Sequence, residues 1–193
     1  MAGYGANNFR WAKLKSDADP SKLPVYEGAM SMGPLTSVTD AVTMVTGENY
    51  GDDQLQDFIE EFQKLDVDVG STDIPVTTAA AFTGATVDED GMVHLNHNDE
   101  APYGGASFVA RRGSKQEDGT YKKYFRVVIY PMVKGRKANG AVTTRGSSIS
   151  FANDSAHFTG KASASGDYMV HRDFDTMEAA LAWLDTVMPM ADA

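Results

Sequence analysis

The chain contains no cysteine among its 193 residues. This absence excludes disulfide bonds, thiolate metal ligands and a cysteine nucleophile. Basic residues are also scarce, since 17 lysines and arginines stand against 27 aspartates and glutamates, for a formal net charge of −10. Because affinity for nucleic acid comes mainly from cations that neutralise phosphates, this balance argues against a nucleic-acid-binding protein. An acidic surface is compatible with simple solubility, or with a wall past which DNA slides without sticking.

Long apolar runs are missing as well, so the sequence predicts no membrane-spanning segment. Residues 1–14 are glycine-rich and then amphipathic, without the charged and apolar regions of a signal peptide, which favours synthesis and use in a cytoplasm. Apolar residues make up 42% of the chain and charged residues 23%. These fractions and the length predict a single globular domain spanning residues 1–193.

Motifs that carry chemistry are incomplete. His94 and His97 lack a third ligand nearby, and Asp66, Asp68 and Asp73 lack the glycine and the closing acid of a calcium loop. Residues 159–161 resemble the end of a phosphate-binding loop, but the first glycine and the final hydroxyl residue of that motif are absent. We therefore expect no enzyme activity, no catalytic residues, no metal site and no cofactor.

Alternating apolar and polar residues predict a mainly β protein. Residues 36–46 and 57–69 both show a period of two, and the polar residues 47–56 between them predict a long hairpin with an exposed tip. The pattern places Asp40 with Val38 and Val42 on one face of the first strand. Further strands and helices are predicted as follows: an arm at 1–8, strands at 9–14, 25–32, 92–95, 106–112, 121–133, 141–151 and 156–162, a helix at 73–82 with Thr72 or Asp73 as its cap, and a C-terminal helix at 175–188 with Asp175 as its cap.

The order of these segments resembles that of the major tail proteins, or tail-tube proteins, of siphophages that infect Gram-positive bacteria. The matching segments are residues 8–14 as a first strand, Gly28 and Ala29 after a loop, residues 48–53 at a hairpin tip, 65–69 as the return strand, 73–75 before a helix, 101–105 before a strand, 121–133 as a long strand, and 175–184 as a terminal helix. Arg10 stands where tyrosine is common in this family. Residues 76–83, which are rich in alanine and threonine, also depart from the family's pattern.

The resemblance implies a tail-tube β-sandwich or partial barrel with a long hairpin, one flanking α-helix and a C-terminal α-helix. It further implies hexameric rings that stack into a tube, through which double-stranded DNA is ejected into the host. A barrel of about 24 strands tilted by about 40° would be roughly 48 Å across its backbone, which is wide enough for duplex DNA. The implied partners are other copies of the chain, the tape-measure protein, the tail terminator and the distal tail proteins, all within a virion tail assembled in the host cytoplasm.

Two sets of site residues follow from this reading. The residues expected to contact the neighbouring ring lie at the hairpin tip: Glu48, Asn49, Tyr50, Asp52, Asp53 and Gln54. The residues expected to face the lumen, with the aspartates keeping it anionic, are Asp40, Lys64, Asp66 and Asp68. The alternative for the second set is the outside of the tube. Alternatives for the whole chain are the tube of a contractile tail or of a type VI secretion-like machine, and a head-decoration or adhesion β-sandwich.

Overall fold

A computed structural model describes residues 2–52, 54–117, 119–137 and 152–191. The chain is mainly β, with 59% of residues in strands and 11% in helices, which confirms the predicted class. The strands are β1 Ala2–Ser16, β2 Val25–Ser31, β3 Leu35–Gly51, β4 Gln54–Ser71, β5 Thr86–Val87, β6 Val93–His94, β7 Gly104–Lys115, β8 Tyr121–Lys137, β9 Asp154–Lys161 and β10 Val170–Phe174. The helices are α1 Val76–Thr83 and α2 Met177–Val187.

One antiparallel sheet of eight strands contains every described strand except β5 and β6, which pair with each other. Its strand order is β2-β1-β7-β8-β9-β4-β3. Strand β8 is the central strand, because β7 pairs along one edge while β10 and then β9 pair along the other. Its aromatic and β-branched residues 127–133 are buried, as expected for an interior strand.

Two apolar cores lie on opposite faces of this sheet. The larger contains Phe9, Trp11, Phe82, Tyr130 and Phe158, and it lies between one face of the sheet and α1. The smaller lies between the other face and α2, through Leu184, Met188 and their neighbours. Together the two cores hold both helices against the sheet.

The ends of the helices show which residues cap them. Helix α1 begins after Pro75, with no side-chain cap, so the predicted cap at Thr72 or Asp73 is wrong. It ends at Gly84, whose φ of 81° requires glycine, as predicted. Helix α2 is capped by the Thr176 hydroxyl, which accepts a 3.2 Å hydrogen bond from the amide of Ala179, rather than by Asp175. Threonine is extended there, and this places its oxygen over the first turn.

The N-terminal segment also differs from the expectation. Residues 2–8 were expected as an arm, but they belong to β1 and pair with β7 from Ala2↔Gly113 onward. Their glycines suggested flexibility, whereas pairing to a long neighbouring strand orders them. Strand β10 was not predicted, and the strand expected at residues 141–151 lies outside the described residues. Neither helix among the described residues has the length and apolar character that crossing a membrane requires.

Candidate assembly surface

The β3–β4 hairpin projects beyond the body of the protein. Leu65, Val67 and Val69 of β4 are buried, but every described residue of β4 from Gln54 to Glu61 is exposed. The paired residues 44–50 of β3 are exposed as well. We call residues 44–61 the hairpin arm. Its strands run for about eight residues each, so it reaches roughly 25 Å from the core.

Phe62 marks the root of the arm. It packs against the larger core and stacks on Tyr168, with ring centroids 4.6 Å apart and planes 8° from parallel. The strand register shifts beside it, between Thr43↔Lys64 and Met44↔Phe62. This bulge leaves Gln63 without a partner in the ladder and turns Phe62 toward the core.

The core-side face of the sheet continues along the arm, where exposed apolar side chains are interspersed with Glu48 and Glu60. Directly opposed residues of an antiparallel pair share a face, so Met44 lies with Phe62 and Glu48 with Phe58. Tyr50 shares this face, since its hydroxyl donates a 2.7 Å hydrogen bond to Oε2 of Glu48. That hydrogen bond raises the pKa of Tyr50. The exposed fractions along this face are 43% for Met44, 63% for Tyr50, 51% for Leu55 and 54% for Phe58.

Exposed apolar side chains in such a row indicate a contact surface. Burying one phenylalanine or leucine side chain contributes roughly 1.5–3 kcal/mol of stabilising free energy. The exposed side chains of the arm do not obtain this stabilisation within a single folded chain. Ile59, 61% exposed, adds an apolar residue on the opposite face. A partner that gripped the arm from both sides would bury all of these side chains.

The predicted tip residues lie at the far end of this arm. Glu48, Asn49 and Tyr50 are paired strand residues, so the tip is shorter than residues 47–56. Both faces of the arm are exposed to solvent, so polar side chains can occupy either face. They therefore do not interrupt the backbone hydrogen bonds between β3 and β4. Asp52 stands in the turn with a φ of 53°, and Gln54 begins the return strand. Asp53 lies outside the described residues.

The predicted lumen-facing residues fall on two faces. Asp66 and Asp68 share the outer face of β4 with Lys64, whose ammonium lies 2.6 Å from Asp66 and lowers the pKa of that carboxyl. Asp40 is opposed to the buried Val67 and therefore lies on the core side. It is near Tyr130, whose pKa is raised first by burial and then by the Asp40 charge. The strand register therefore places Asp40 on the opposite face of the sheet from Asp66 and Asp68.

His157 of β9 links the two aspartates of the outer face. Its Nδ1 lies 2.8 Å from Oδ1 of Asp68, and its Nε2 lies 3.4 Å from Oδ1 of Asp66. The Thr159 hydroxyl donates a 3.2 Å hydrogen bond to Asp66. These cross-strand contacts fix the carboxylates on the sheet and engage part of their negative charge.

Basic residues of β8 and β9 complete this face. In the pairing, Arg136 is opposed to His157 and Lys134 to Thr159, beside a groove of about 420 Å³. The strand predicted to end at residue 133 continues, as β8, through Lys134 to Lys137. At one end, the ammonium groups of Lys134 and Lys161 lie 4.6 and 4.5 Å from the centroid of the Tyr103 ring. We call this surface, defined by Lys64, Lys134, Arg136, Lys161 and His157, the basic groove.

The charge of this face is opposite to the expectation for Asp66 and Asp68. Four cationic side chains outnumber the two aspartates, even with His157 neutral. The cations come from strands that are distant in sequence, so only the register brings them together.

Among known proteins, no family model matches this chain, and no curated protein matches it either.

Proposed function

We propose that the chain is a structural subunit of a siphophage tail tube, without catalytic activity, that forms stacked hexameric rings around the path of the ejected DNA. The observation that carries this proposal is the hairpin arm, which extends past the core with apolar residues exposed on both faces. A monomeric protein gains nothing from such a projection, whereas an assembly buries it. The resemblance in the order of segments supplies the kind of assembly.

Open strand edges support the same proposal. Among the described residues, β3 pairs only with β4, and residues 2–7 of β1 pair only with β7. Unpaired edges invite pairing with another chain, and closing a sheet across subunits removes them. In the assembled tube these edges would join neighbouring subunits into a continuous barrel. The tape-measure, terminator and distal tail proteins would then contact the tube from inside and at its ends, within the virion.

The lumen lining is a separate question within this proposal. Asp66 and Asp68 share their face with Lys64, Lys134 and Arg136, so the face as a whole carries no net negative charge. If the lumen repels DNA, other acidic residues of the chain supply the charge. The acidic balance of the whole chain leaves enough of them, since only two of its 27 acidic residues lie in this cluster.

Negative-stain electron microscopy of the concentrated protein tests the proposal. We expect hollow tubes or six-fold rings from the full chain. The matched control is a chain in which an Asn-Gly turn replaces residues 46–60, so that Phe62 and the body are retained. That protein should stay folded and soluble without forming tubes. A stable trimer of the full chain would instead indicate a decoration or adhesion protein, and tubes from the shortened chain would remove the arm from the assembly.

A further inference from the structure

The basic groove concentrates positive charge in a chain that is otherwise acidic. Lys134 and Arg136 project from the same face of β8, and Lys161 joins Lys134 over the Tyr103 ring. Lys64 is the only one of the four cations that has an ion pair within the described part of the chain. Like charges on neighbouring strands repel each other, and the two aspartates of this face contact Lys64 and His157 rather than the other three cations. An anionic partner would remove this repulsion.

The hairpin arm carries the opposite charge. Its residues 44–61 contain six acidic residues and no lysine or arginine. The acidic residues of this segment are Glu48, Asp52, Asp53, Asp57, Glu60 and Glu61. In the described part of the arm these carboxylates have no ion pairs, and Glu60 and Glu61 near its root are both exposed. The arm is therefore both apolar and anionic, while the groove is cationic.

The arm cannot fold back onto the groove of its own chain. Lys64 belongs to the groove and also lies at the root of the arm, next to the bulged residue 63. Beyond Lys64 the two strands of the arm pair only with each other among the described residues, so its carboxylates lie successively farther along the hairpin from the groove. The partner that brings these two surfaces together must be a second copy.

We propose that the hairpin arm of one copy binds in the basic groove of a second copy, through its carboxylates. This inference rests on the proposed function, because it names the receiving surface of the ring contact. Interfaces with complementary charge gain orientation and register from such pairs. The exposed apolar residues Leu55 and Phe58 would then pack against the rim of the groove and contribute most of the affinity.

A groove covered by a neighbouring arm does not face the lumen. The lumen-facing role expected of Lys64, Asp66 and Asp68 is then replaced by a role in the contact between subunits. His157 fits this role, because its two ring nitrogens contact both aspartates and leave Lys134, Arg136 and Lys161 without an acidic partner among the described residues.

Zero-length carbodiimide cross-linking detects the contact directly, because it joins only carboxylates and amines that touch. A mixture of ¹⁴N- and ¹⁵N-labelled chains identifies cross-links between copies by mass spectrometry. We expect mixed-isotope links from Glu60 or Glu61 to Lys134, Lys161 or Lys64. Links between copies that omit the groove, or their absence at concentrations where the chain assembles, overturn the inference.

Charge reversal provides the second measurement. Glu60→Lys with Glu61→Lys makes the arm basic, and Lys134→Glu with Arg136→Glu makes the groove acidic. Each pair alone should lower self-association by at least tenfold in sedimentation velocity, because like charges then face each other. A chain that carries all four substitutions, or an equimolar mixture of the two variants, should regain association. The matched controls are Lys13→Glu with Lys15→Glu, and Glu89→Lys with Asp90→Lys, which alter exposed charges elsewhere and should leave association unchanged.

The outcomes separate this inference from the proposed function. Tubes or rings that persist through both reversals keep the tail-tube function and overturn the arm-in-groove contact. Failure of the four-substitution chain to reassociate also overturns it. Rescue of a trimer by charge exchange would support the contact and contradict the tube. Loss of binding to a DNA duplex on reversal of the groove, with association intact, would make the groove a nucleic-acid site instead.

Discussion

Phe62 of β4 and Tyr168, which precedes β10, stack with their ring centroids 4.6 Å apart and their planes 8° from parallel. This stack lies where the sheet leaves the body and the hairpin arm begins. Tyr168 comes from a segment more than a hundred positions later in the chain, so the root of the arm is fixed by the C-terminal part of the fold. The direction of the arm therefore depends on this pair.

Phe62→Ala and Tyr168→Ala should each lower the free energy of unfolding by about 1–3 kcal/mol, because each removes a partly buried aromatic ring. The double variant should lose about 0.5–1.5 kcal/mol less than the sum, since the stacking is lost only once. Urea unfolding of the four chains measures the coupling. Strict additivity would show that the two rings do not stabilise each other.

Phe58→Ser is the matched control for Phe62→Ala, because Phe58 lies on the same face of the arm but is 54% exposed. We expect its free energy of unfolding to remain within about 0.5 kcal/mol of the original chain. Its self-association should nevertheless weaken, because the side chain packs only in the assembly. Sedimentation velocity and urea unfolding on the same sample separate the two effects, and a large loss of monomer stability would contradict the exposed position.

Asp173→Asn should reveal a pH-dependent contribution from β10. Nε and Nη2 of Arg126 donate hydrogen bonds of 2.6 and 2.7 Å to Asp173, and they lower the pKa of that carboxyl below its ordinary value of 3.8. A lowered pKa in the folded state stabilises the protein above pH 3.8, and this stabilisation is lost as the pH falls through the lowered value.

Because the Asp173 side chain is 43% exposed, the expected loss at pH 7 is on the order of 0.5–1 kcal/mol. The difference between Asp173→Asn and the original chain should shrink below about pH 4. Chemical denaturation from pH 7 to pH 3 measures it. A stability difference that grows as the pH falls would contradict a lowered pKa of Asp173 in the folded protein.

Gly33→Ala should be far more destabilising than Gly91→Ala, although both glycines have nearly the same φ. The values are +79° and +80°, so each substitution places alanine in the left-handed region, at roughly 1–2 kcal/mol. A Cβ at Gly33 would lie 2.0 Å from the carbonyl oxygen of Asp73, whereas a Cβ at Gly91 meets no atom within 4 Å. Crowding at Gly33 should add about 1–3 kcal/mol. Equal losses in thermal unfolding would contradict the tight contact before α1.

The elements with a strong local pattern were predictable from the sequence. The period-two residues of β3 and β4 predicted the long hairpin, and Gly84 predicted the end of α1. The cap of α2 was misassigned because Asp175 and Thr176 are adjacent and both are good capping residues. Only the backbone conformation selects threonine.

The surface features depended on information that the sequence does not carry. Strand β10 has three consecutive exposed polar residues, His171, Arg172 and Asp173, and no period-two pattern, so its only strong signal is its pairing with β8. The basic groove requires the registers of β8, β9 and β4 together, and a shift of one residue in any of them would turn its cations to the other face. The bulge at residue 63 has a similar effect, since it places Phe62 on the core side against simple alternation.

The pairing of β4 with β9 also determines when the body of the protein can be completed. His157 and Asp68 are 89 residues apart in sequence, yet they are opposed in the sheet. A ribosome needs roughly 5–20 s to synthesise that length, so the hairpin emerges well before the strand that covers its edge. During this interval the β4 edge of the hairpin has no partner strand from its own chain, and the repulsion between acidic arms of neighbouring nascent chains would delay premature association. The same charges that guide assembly would therefore protect the unfinished chain on the polysome.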